Sequence, residues 1–318
     1  MIDVGVGLWT MRSTAARPAS TPTLYRQLQR DAQLAEELGL HSLWVAEHHF
    51  WYDGWCPAAI TAAAAVLGAT TRLRAGTGIH LLSLWDADCS RSAAETAMRL
   101  SNGRLELGVG LGYRDEEFDG FGLSRRVRGR RMDATLDALL ERWRDADDAP
   151  PIMVGGFSEP ALRRAAARGL GIFLPFSMDR PRLQRTIERF RELAGAAGRT
   201  PGRIGMLKYA WATNGSARER ERAQAVIHAS AREYTGAWFP LRGRPGFEAP
   251  DLLEGQLRRD SENAFIGPPD LIAERLSELE ADGVDVVVLQ ITCDDVIADY
   301  RTNMARIGER VLGVLARR

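Results

Sequence analysis

The sequence predicts a (β/α)8 TIM barrel with insertions after strands 4 and 7. Eight short apolar segments alternate with segments of helical periodicity. Most of the eight are continuously apolar, which is typical of parallel strands covered by helices. The length of 318 residues accommodates eight such units, and no linker or internal repeat divides them. We therefore predict one domain over residues 1–318, with an open doubly wound sheet as the alternative fold.

The first half of the chain carries four of the predicted strands. Thr21 and Pro22 open the first helix with a capping residue and a proline in its first turn, and Gly39 ends it. Pro57 precedes an alanine-rich helix, whose small side chains allow close packing on a sheet. The predicted strands of this half are 4–8, 43–46, 73–79 and 104–109, and the helices are 21–38, 58–67, one through Ala93 and Leu100, and 127–143.

The second half repeats the alternation after the break at Pro150 and Pro151. Its predicted strands are 152–154, 171–174, 204–211 and 284–289. Its predicted helices are 159–168, 183–193, 217–234 and 271–279, followed by a last helix at the end of the chain. Residues 236–263 break the periodicity with Pro and Gly, so we predict an inserted loop or lid there.

Composition excludes several classes of function. Lys plus Arg and Asp plus Glu number 42 each, so no overall field attracts nucleic acid or an acidic membrane. No apolar run approaches the ~20 residues that span a bilayer, and the N-terminus lacks the pattern of a signal peptide. Cys56, Cys89 and Cys293 fit neither a disulfide framework nor a zinc site, which favours a reducing compartment. We expect a soluble, cytoplasmic protein.

The strongest site candidate follows the second predicted strand. Glu47, His48 and His49 stand where the apolar run ends, and ligands bind at the C-terminal ends of strands in β/α folds. Adjacent residues of an extended segment point to opposite faces, so we expect no metal ion shared by the two histidines. Two interpretations stay open: a structural pair held by hydrogen bonds, or acid–base chemistry beside a cofactor, since imidazole titrates near neutral pH.

Two glycine-containing stretches also follow strands. Gly108, Gly110 and Gly112 alternate, and acidic residues follow them, so a dinucleotide fingerprint is not supported. They form either a tight turn or a place where a flat ring approaches the backbone. In the other stretch, residues 155–158, two glycines lead through Phe157 to the helix cap Ser158. Free N–H groups at that helix start would suit a phosphate, although Glu159 weakens the local field.

Aromatic residues crowd the loops after strands two and three. Packing of long loops and lining of an apolar substrate pocket are both open for them. The residues proposed as pocket lining are Phe50, Trp51 and Trp85, with Tyr52, Trp55 and His80 in the same loops.

Together these stretches resemble the bacterial luciferase-like flavin monooxygenases. The resemblance covers roughly the first 175 residues and is carried by segments 35–39, 44–50, 70–77, 100–113 and 151–158. It implies a barrel whose mouth holds reduced FMN, which reacts with dioxygen to oxidise an aldehyde or other organic substrate. Some relatives use a reduced deazaflavin coenzyme for hydride transfer instead.

The resemblance also implies roles for single residues. His48, with Glu47 and His49, corresponds to the family's histidine pair at the reactive edge of the flavin. The residues implied in cofactor binding are Leu8, His80, Gly110, Leu111, Arg131, Gly156, Phe157 and Ser158. The sequence departs from the family at Leu111, where relatives often carry a polar residue or arginine, and at 83–87, where they carry a proline-containing segment.

We therefore expect a flavin-dependent monooxygenase that receives reduced FMN from a separate reductase. An apolar or aromatic substrate, of the kind met in secondary metabolism, would suit the aromatic loops. A deazaflavin-dependent oxidoreductase and a non-catalytic flavin-binding protein are the alternatives. The family resemblance also leads us to expect a homodimer.

Overall fold

The computed structural model describes residues 1–13, 18–51, 54–147, 149–238, 250–293, 295 and 297–317. The strands are β1 Asp3–Trp9, β2 Ser42–Val45, β3 Arg74–His80, β4 Leu105–Val109, β5 Ile152–Gly155, β6 Gly171–Leu174, β7 Ile204–Ala212, β8 Phe265–Gly267 and β9 Val286–Ile291. The helices are α1 Thr21–Glu37, α2 Ala59–Gly68, α3 Ala87–Ser101, α4 Asp115–Gly120, α5 Arg128–Arg142, α6 Glu159–Ala166, α7 Arg180–Ala196, α8 Ala217–Trp238, α9 Pro250–Glu262, α10 Pro269–Ala281, α11 Ala298–Arg306 and α12 Leu312–Leu315. A 3-10 turn at Arg125–Val127 leads into α5, and a π-helical segment at Ile307–Val311 joins α11 to α12. No helix within the described ranges is long and apolar enough to cross a bilayer.

Eight of the nine strands in the described part of the chain form a closed parallel barrel, which confirms the predicted fold class. Strands β1 to β7 are neighbours in chain order, and β9 closes the barrel by pairing with both β7 and β1. This closure rules out the open doubly wound sheet. The predicted eighth strand is β9, whereas β8 is a short addition that pairs with the C-terminal part of β7 through Ala210 and Phe265.

The two predicted insertions are present after β4 and after β7. The first contains the short helix α4, which the sequence analysis did not predict, ahead of α5. In the second, the predicted lid at 236–263 is wrong in part, because Pro250–Glu262 forms α9. Pro250 can begin a helix, where its missing N–H is no loss, and Leu257 is fully buried. Residues 239–249, which carry most of the Pro and Gly of this segment, lie outside the described residues.

A small aromatic core fills the interior of the barrel. The ring of Trp44 stacks on that of Phe173 with centroids 5.0 Å apart, among Met153 and Leu207. A Cβ atom on Gly76 would lie 2.3 Å from the Trp44 ring, so only glycine leaves room for the indole at this point of β3. The layer forms a floor beneath the C-terminal end of the barrel.

The N-terminal end of the barrel is closed by charged side chains. Buried Glu106 on β4 accepts from Arg74 Nε at 2.8 Å and pairs with Arg203 Nη1 at 3.2 Å. Arg203 also pairs with Asp3. With this end sealed, the C-terminal end is the open face, where ligands bind in barrels of this type.

Candidate active site

A cavity of about 610 Å³ opens at the C-terminal ends of the strands. Its volume falls within the roughly 300–1,000 Å³ that is usual for small-molecule and cofactor sites. Leu8, Ile79, Phe173 and Leu207 give it an apolar floor, continuous with the core of the barrel. Helix α8 contributes to the opposite wall.

The structure brings most of the predicted site residues to this end of the barrel. Seven of them line the cavity: Leu8, Glu47, His48, Leu111, Gly156, Phe157 and Ser158. Behind the wall, His49 and His80 bind Glu47, and the Gly110 N–H donates to the His80 carbonyl at 2.9 Å. Arg131, Phe50, Trp51 and Trp85 lie outside the set of described residues that line the cavity.

His48 is held rigidly at the wall. Its Nδ1 is 2.8 Å from Oε1 of Glu117, and its ring meets that of Trp55 edge-on at 4.6 Å. The side chain is 5% exposed. Burial lowers the pKa of His48 below its usual value, and hydrogen bonding to Glu117 opposes that change. His48 is therefore a buried imidazole, favoured in its neutral form, with an oriented ring.

Glu117 is a site residue that the sequence analysis did not single out. It lies on α4 and is fully buried. Its Oε1 also accepts the backbone N–H of His49 at 3.0 Å and lies 3.8 Å from Arg114 Nη1. The only local signal was a glutamate directly before the apolar Phe118 in a short helix, and that signal does not identify its partner.

Glu47 joins three side chains of the neighbouring loops. Its carboxylate accepts from His49 Nε2 at 2.9 Å, from His80 Nδ1 at 2.8 Å and from Trp85 Nε1 at 2.8 Å. Burial alone would raise the pKa of Glu47, but the charge of His80 and these hydrogen bonds hold it well below the usual range. Glu47 is thus an ionised anchor for the loops after β2 and β3.

The two adjacent histidines have separate partners. His48 binds Glu117, whereas His49 binds Glu47. The segment after Val45 is not an extended strand, so its side chains need not point to opposite faces in turn, as the sequence predicts for a strand. The two carboxylates give the histidines different positions. Glu117 orients the His48 ring at the cavity, and Glu47 holds the His49 ring behind it.

The loop between β5 and α6 forms another part of the wall. Gly156 has a φ of +128°, a conformation that side chains disfavour. Ser158 is the N-cap residue of α6, and its side chain makes no capping hydrogen bond. The charge of Glu159 is compensated, since Arg189 and Arg163 pair with it and lower its pKa. The unfavourable field expected from Glu159 is therefore offset.

Two arginines of α5 occupy different places. Arg128, at the start of α5, lines the cavity together with Gly156 and Ser158. Arg131 instead donates from Nε to the Ser83 carbonyl at 2.9 Å. The structure therefore offers Arg128 as the cation at this wall, and the predicted cofactor contact of Arg131 stays a prediction.

The floor contains two non-proline cis peptide bonds, Gly7–Leu8 and Gly78–Ile79. Leu8, Gly78 and Ile79 all line the cavity. The side chain of His80, the next residue, points away to Glu47 and to Ser90, whose Oγ is 3.1 Å from Nε2. The backbone before His80, rather than its ring, thus faces the cavity.

The predicted aromatic pocket residues pack around the wall. Trp85 binds Glu47, and Trp51 lies between His48 and the Arg114 guanidinium, 4.5 Å from its ring. Phe50 is 61% exposed. Among the residues that the structure describes, Trp55 is the tryptophan that lines the cavity. Contact of Phe50, Trp51 and Trp85 with substrate stays a prediction.

Helix α8 meets the loops of the opposite side at the rim of the cavity. Arg12 Nη2 pairs with Glu233 Oε1 at 2.6 Å, and its guanidinium lies 4.9 Å from the Trp55 ring. The hydroxyls of Tyr113 and Tyr234 share a hydrogen bond. Burial raises the pKa of both phenols, that of Tyr234 to about 12, so both stay protonated at neutral pH.

The chain matches the model of the luciferase-like monooxygenases over residues 5–286. It belongs to the luciferase-like monooxygenase family. The alkanal monooxygenase alpha chain of Photorhabdus laumondii is 23% identical over 69% of this chain and 66% of its own. The oxygenase component of the flavin-dependent trigonelline monooxygenase of Acinetobacter baylyi is 28% identical over 38% of this chain and 34% of its own. An uncharacterized protein of Sinorhizobium fredii is 28% identical over 49% and 50%. These latter alignments span half or less of the relatives' length.

Solved structures of the luciferase-like fold align over nearly the whole chain. The monooxygenase RslO1 of Streptomyces bottropensis gives a TM-score of 0.83 at 22% identity, covering 98% of this chain and 99% of its own. The oxygenating constituent of 3,6-diketocamphane monooxygenase of Pseudomonas putida, solved with FMN, gives 0.77 at 19% identity, covering 98% of both chains. At these identities the likeness establishes the fold.

Proposed function

We propose that the protein is a flavin-dependent monooxygenase that uses reduced FMN and dioxygen to oxidise an apolar or aromatic organic substrate. One observation carries the proposal. A buried, oriented imidazole, His48, lies in the wall of a largely apolar cavity at the C-terminal end of a luciferase-like barrel. That position suits proton transfer beside a cofactor that activates oxygen.

The residues present fit a flavin mononucleotide. Leu8, Ile79 and Gly155 offer a flat apolar surface for the ring, and a Cβ on Gly155 would already lie 3.1 Å from Ile79 Cδ1. The helix start at Ser158, with a side-chain hydroxyl not used for capping, and the Arg128 guanidinium offer donors to the phosphate. We propose this arrangement as the cofactor site.

The work of this chain is to position groups and exclude water. When bound, reduced FMN supplies the reducing equivalents with which dioxygen is activated. The Glu117 carboxylate accepts the Nδ1 proton of His48, so the neutral ring carries its lone pair on Nε2. At Nε2, His48 would accept or return a proton during oxidation, while the apolar floor keeps water from the reacting groups.

We further propose a separate reductase partner and a homodimer. The relative from Acinetobacter is named as an oxygenase component, and the fold neighbour from Pseudomonas as an oxygenating constituent, names that suit two-component systems. That the substrate comes from secondary metabolism stays a prediction.

Anaerobic binding followed by oxygen tests the proposal. The protein is mixed with photoreduced FMN or with reduced deazaflavin coenzyme, bound flavin is measured by gel filtration, and dioxygen is then admitted while the absorbance is recorded. We expect reduced FMN to bind and to reoxidise with a time course and spectrum that differ from those of free FMN. The His48→Gln variant should bind reduced FMN and lose that difference.

Three results would contradict the assignment. Reoxidation identical to that of free flavin would leave the protein without a role in oxygen activation. Tight binding of the deazaflavin alone, with hydride transfer and no oxygen consumption, would instead establish the oxidoreductase alternative. Flavin binding without either reaction, across a panel of aldehydes and aromatic substrates, would favour a non-catalytic flavin carrier.

A further inference from the structure

We propose that Gln290 and Thr292 form a hydrogen-bonding pole that binds a phenol or enol hydroxyl of the substrate. This inference rests on the proposed function, because it assigns a substrate class to the same cavity. Gln290 is the penultimate residue of β9, Thr292 follows the last residue of that strand, and both line the cavity. Both side chains therefore lie at the same place in the cavity wall.

Their side-chain oxygens lack partners. Gln290 Oε1 and Thr292 Oγ1 are buried and have no hydrogen-bond partner among the described residues. Two other polar groups of the wall are paired within the protein, Glu47 with three side chains and Tyr113 with Tyr234, whereas the Trp55 indole N–H has no hydrogen-bond partner among the described residues. Buried polar atoms are ordinarily satisfied, so two unsatisfied ones on residues that line a cavity point to a ligand that completes them.

The donor and acceptor types specify the ligand group. Gln290 Oε1 accepts a hydrogen bond, so the ligand must donate one there. The Thr292 hydroxyl can donate to a ligand oxygen. One ligand hydroxyl satisfies both, since its proton binds Gln290 and its oxygen accepts from Thr292. A ketone or an ether satisfies Thr292 but leaves the Gln290 oxygen unpaired.

The neighbouring wall suits an aromatic ring attached to that hydroxyl. Tyr209 of β7 stands opposite Gln290 in the strand pairing, and its ring lies 4.4 Å from that of Phe176. Phe176, Leu207 and Tyr209 all line the cavity. A planar ring placed there has apolar surface beside it and the polar pole at its edge, which describes a phenol.

The pole lies on a different strand from each part of the proposed flavin site. That site is built from Leu8 of β1, from β3 and from β5 with the loop to α6; β9 lies between β7 and β1, so the pole adjoins the flavin surface at β1 and lies across the cavity from β3 and β5. In the closed ring of eight strands, β9 stands four places from β4, on the far side of the cavity. The flavin ring also carries an imide that could meet these oxygens, and the experiment must distinguish the two sources.

Binding of matched naphthalenes to the whole protein tests the proposal without turnover. Dissociation constants are measured by calorimetry for 1-naphthol, 1-methoxynaphthalene and 1-methylnaphthalene, with and without oxidised FMN. The wild type should bind 1-naphthol about tenfold more tightly than 1-methoxynaphthalene, which lacks the donor. Gln290→Leu should remove that preference, and Thr292→Val should weaken both oxygenated ligands and spare 1-methylnaphthalene.

The control is Thr96→Val, an exposed threonine on α3, which should bind all three ligands as the wild type does. Thermal unfolding checks that each variant is folded. Equal affinity of the wild type for the three naphthalenes overturns the proposal. A tenfold loss of FMN affinity in Gln290→Leu, with the naphthol preference intact, also overturns it, because the pole then belongs to the flavin.

These outcomes are separable from those of the proposed function. Loss of the naphthol preference in the variants supports the pole even if the protein has no effect on the reaction of reduced FMN with oxygen. Conversely, the protein could prove to be an active monooxygenase while the wild type binds the three naphthalenes equally. The proposed function would then stand, and the phenol or enol substrate class would be rejected.

Discussion

Nδ1 of His48 lies 2.8 Å from Oε1 of Glu117, and the two residues are 69 positions apart in the sequence. The pair joins the loop after β2 to a helix inserted after β4. A buried carboxylate that binds Nδ1 fixes both the tautomer and the orientation of an imidazole. Glu117 is therefore the positioning residue for the proposed acid–base group.

Replacing Glu117 by Gln should slow turnover while leaving the fold intact. The amide keeps the shape of the side chain but lacks the negative charge that attracts the Nδ1 proton of His48. We expect kcat to fall about 10²-fold with little change in flavin affinity. The ¹⁵N chemical shifts of His48 should also show a mixed tautomer. Glu116→Gln, at the neighbouring exposed position, is the matched control; equal rates in the two variants would remove Glu117 from the mechanism.

His48 should make the protein sensitive to mild acid. Its pKa in the folded state lies below the usual 6.5, so between that pKa and 6.5 unfolding takes up a proton. The free energy of unfolding should therefore decrease as the pH falls below 6.5, by up to about 1.4 kcal/mol for each pH unit. Urea titrations at pH 7.5 and 5.5 compare the wild type with His48→Gln. The difference in free energy of unfolding between the wild type and the variant should be smaller at pH 5.5 than at pH 7.5, or change sign. Equal losses of stability in the two proteins would contradict the lowered pKa of His48.

Glu47 should be chiefly a structural anchor. Its carboxylate holds three buried side chains, and removing one partner of such a group leaves the others without compensation. Glu47→Gln should lower the free energy of unfolding by about 3 kcal/mol, measured by urea denaturation. Glu37→Gln, at the exposed end of α1, should change it by less than about 0.5 kcal/mol. A variant of Glu47 as stable as that control would contradict this role.

The sequence predicted the barrel because its signals are local. Continuous apolar runs predict strands, and for β6 the predicted bounds 171–174 equal the observed ones. The C-terminal ends of the strands then bring loops that are distant in sequence together. Contacts between insertions are not local, so nothing near Glu117 indicated His48 as its partner. The predicted lid failed for a related reason. Proline and glycine predict a loop, but Pro250 begins a helix whose Leu257 is buried in the core.

Arg128 and Arg131 show the same limit within one helix. They stand one turn apart, so periodicity places them on nearby faces and does not say which one reaches the cavity. The structure puts Arg128 at the wall and Arg131 on the Ser83 carbonyl. The family resemblance implies a phosphate contact for Arg131, together with Gly156, Phe157 and Ser158.

That difference gives a direct prediction about cofactor affinity. Arg128→Gln should weaken FMN binding about tenfold, because a charge-assisted bond to phosphate is lost, and should leave riboflavin binding unchanged. Fluorescence titration measures both ligands. Arg130→Gln, exposed on the same helix, should bind FMN normally. A loss of FMN affinity in Arg131→Gln that Arg128→Gln lacks would return the phosphate contact to the residue implied by the family.

Gly110 should tolerate a side chain only if Ile79 becomes smaller. A Cβ on Gly110 would lie 1.7 Å from Cδ1 of Ile79, whose side chain forms part of the cavity floor. Gly110→Ala should therefore lower the free energy of unfolding by about 1–3 kcal/mol, as overpacking does. Ile79→Val removes Cδ1, so the double variant should recover part of that loss, and a double-mutant cycle from urea denaturation measures the coupling. Gly195→Ala, where an added Cβ has no atom within 4 Å, is the control and should be neutral or stabilising. If the effects of the two substitutions on the free energy of unfolding simply add, Ile79 moves aside for the added Cβ at no cost in stability. Contact with the end of β4 would then not fix the shape of the floor.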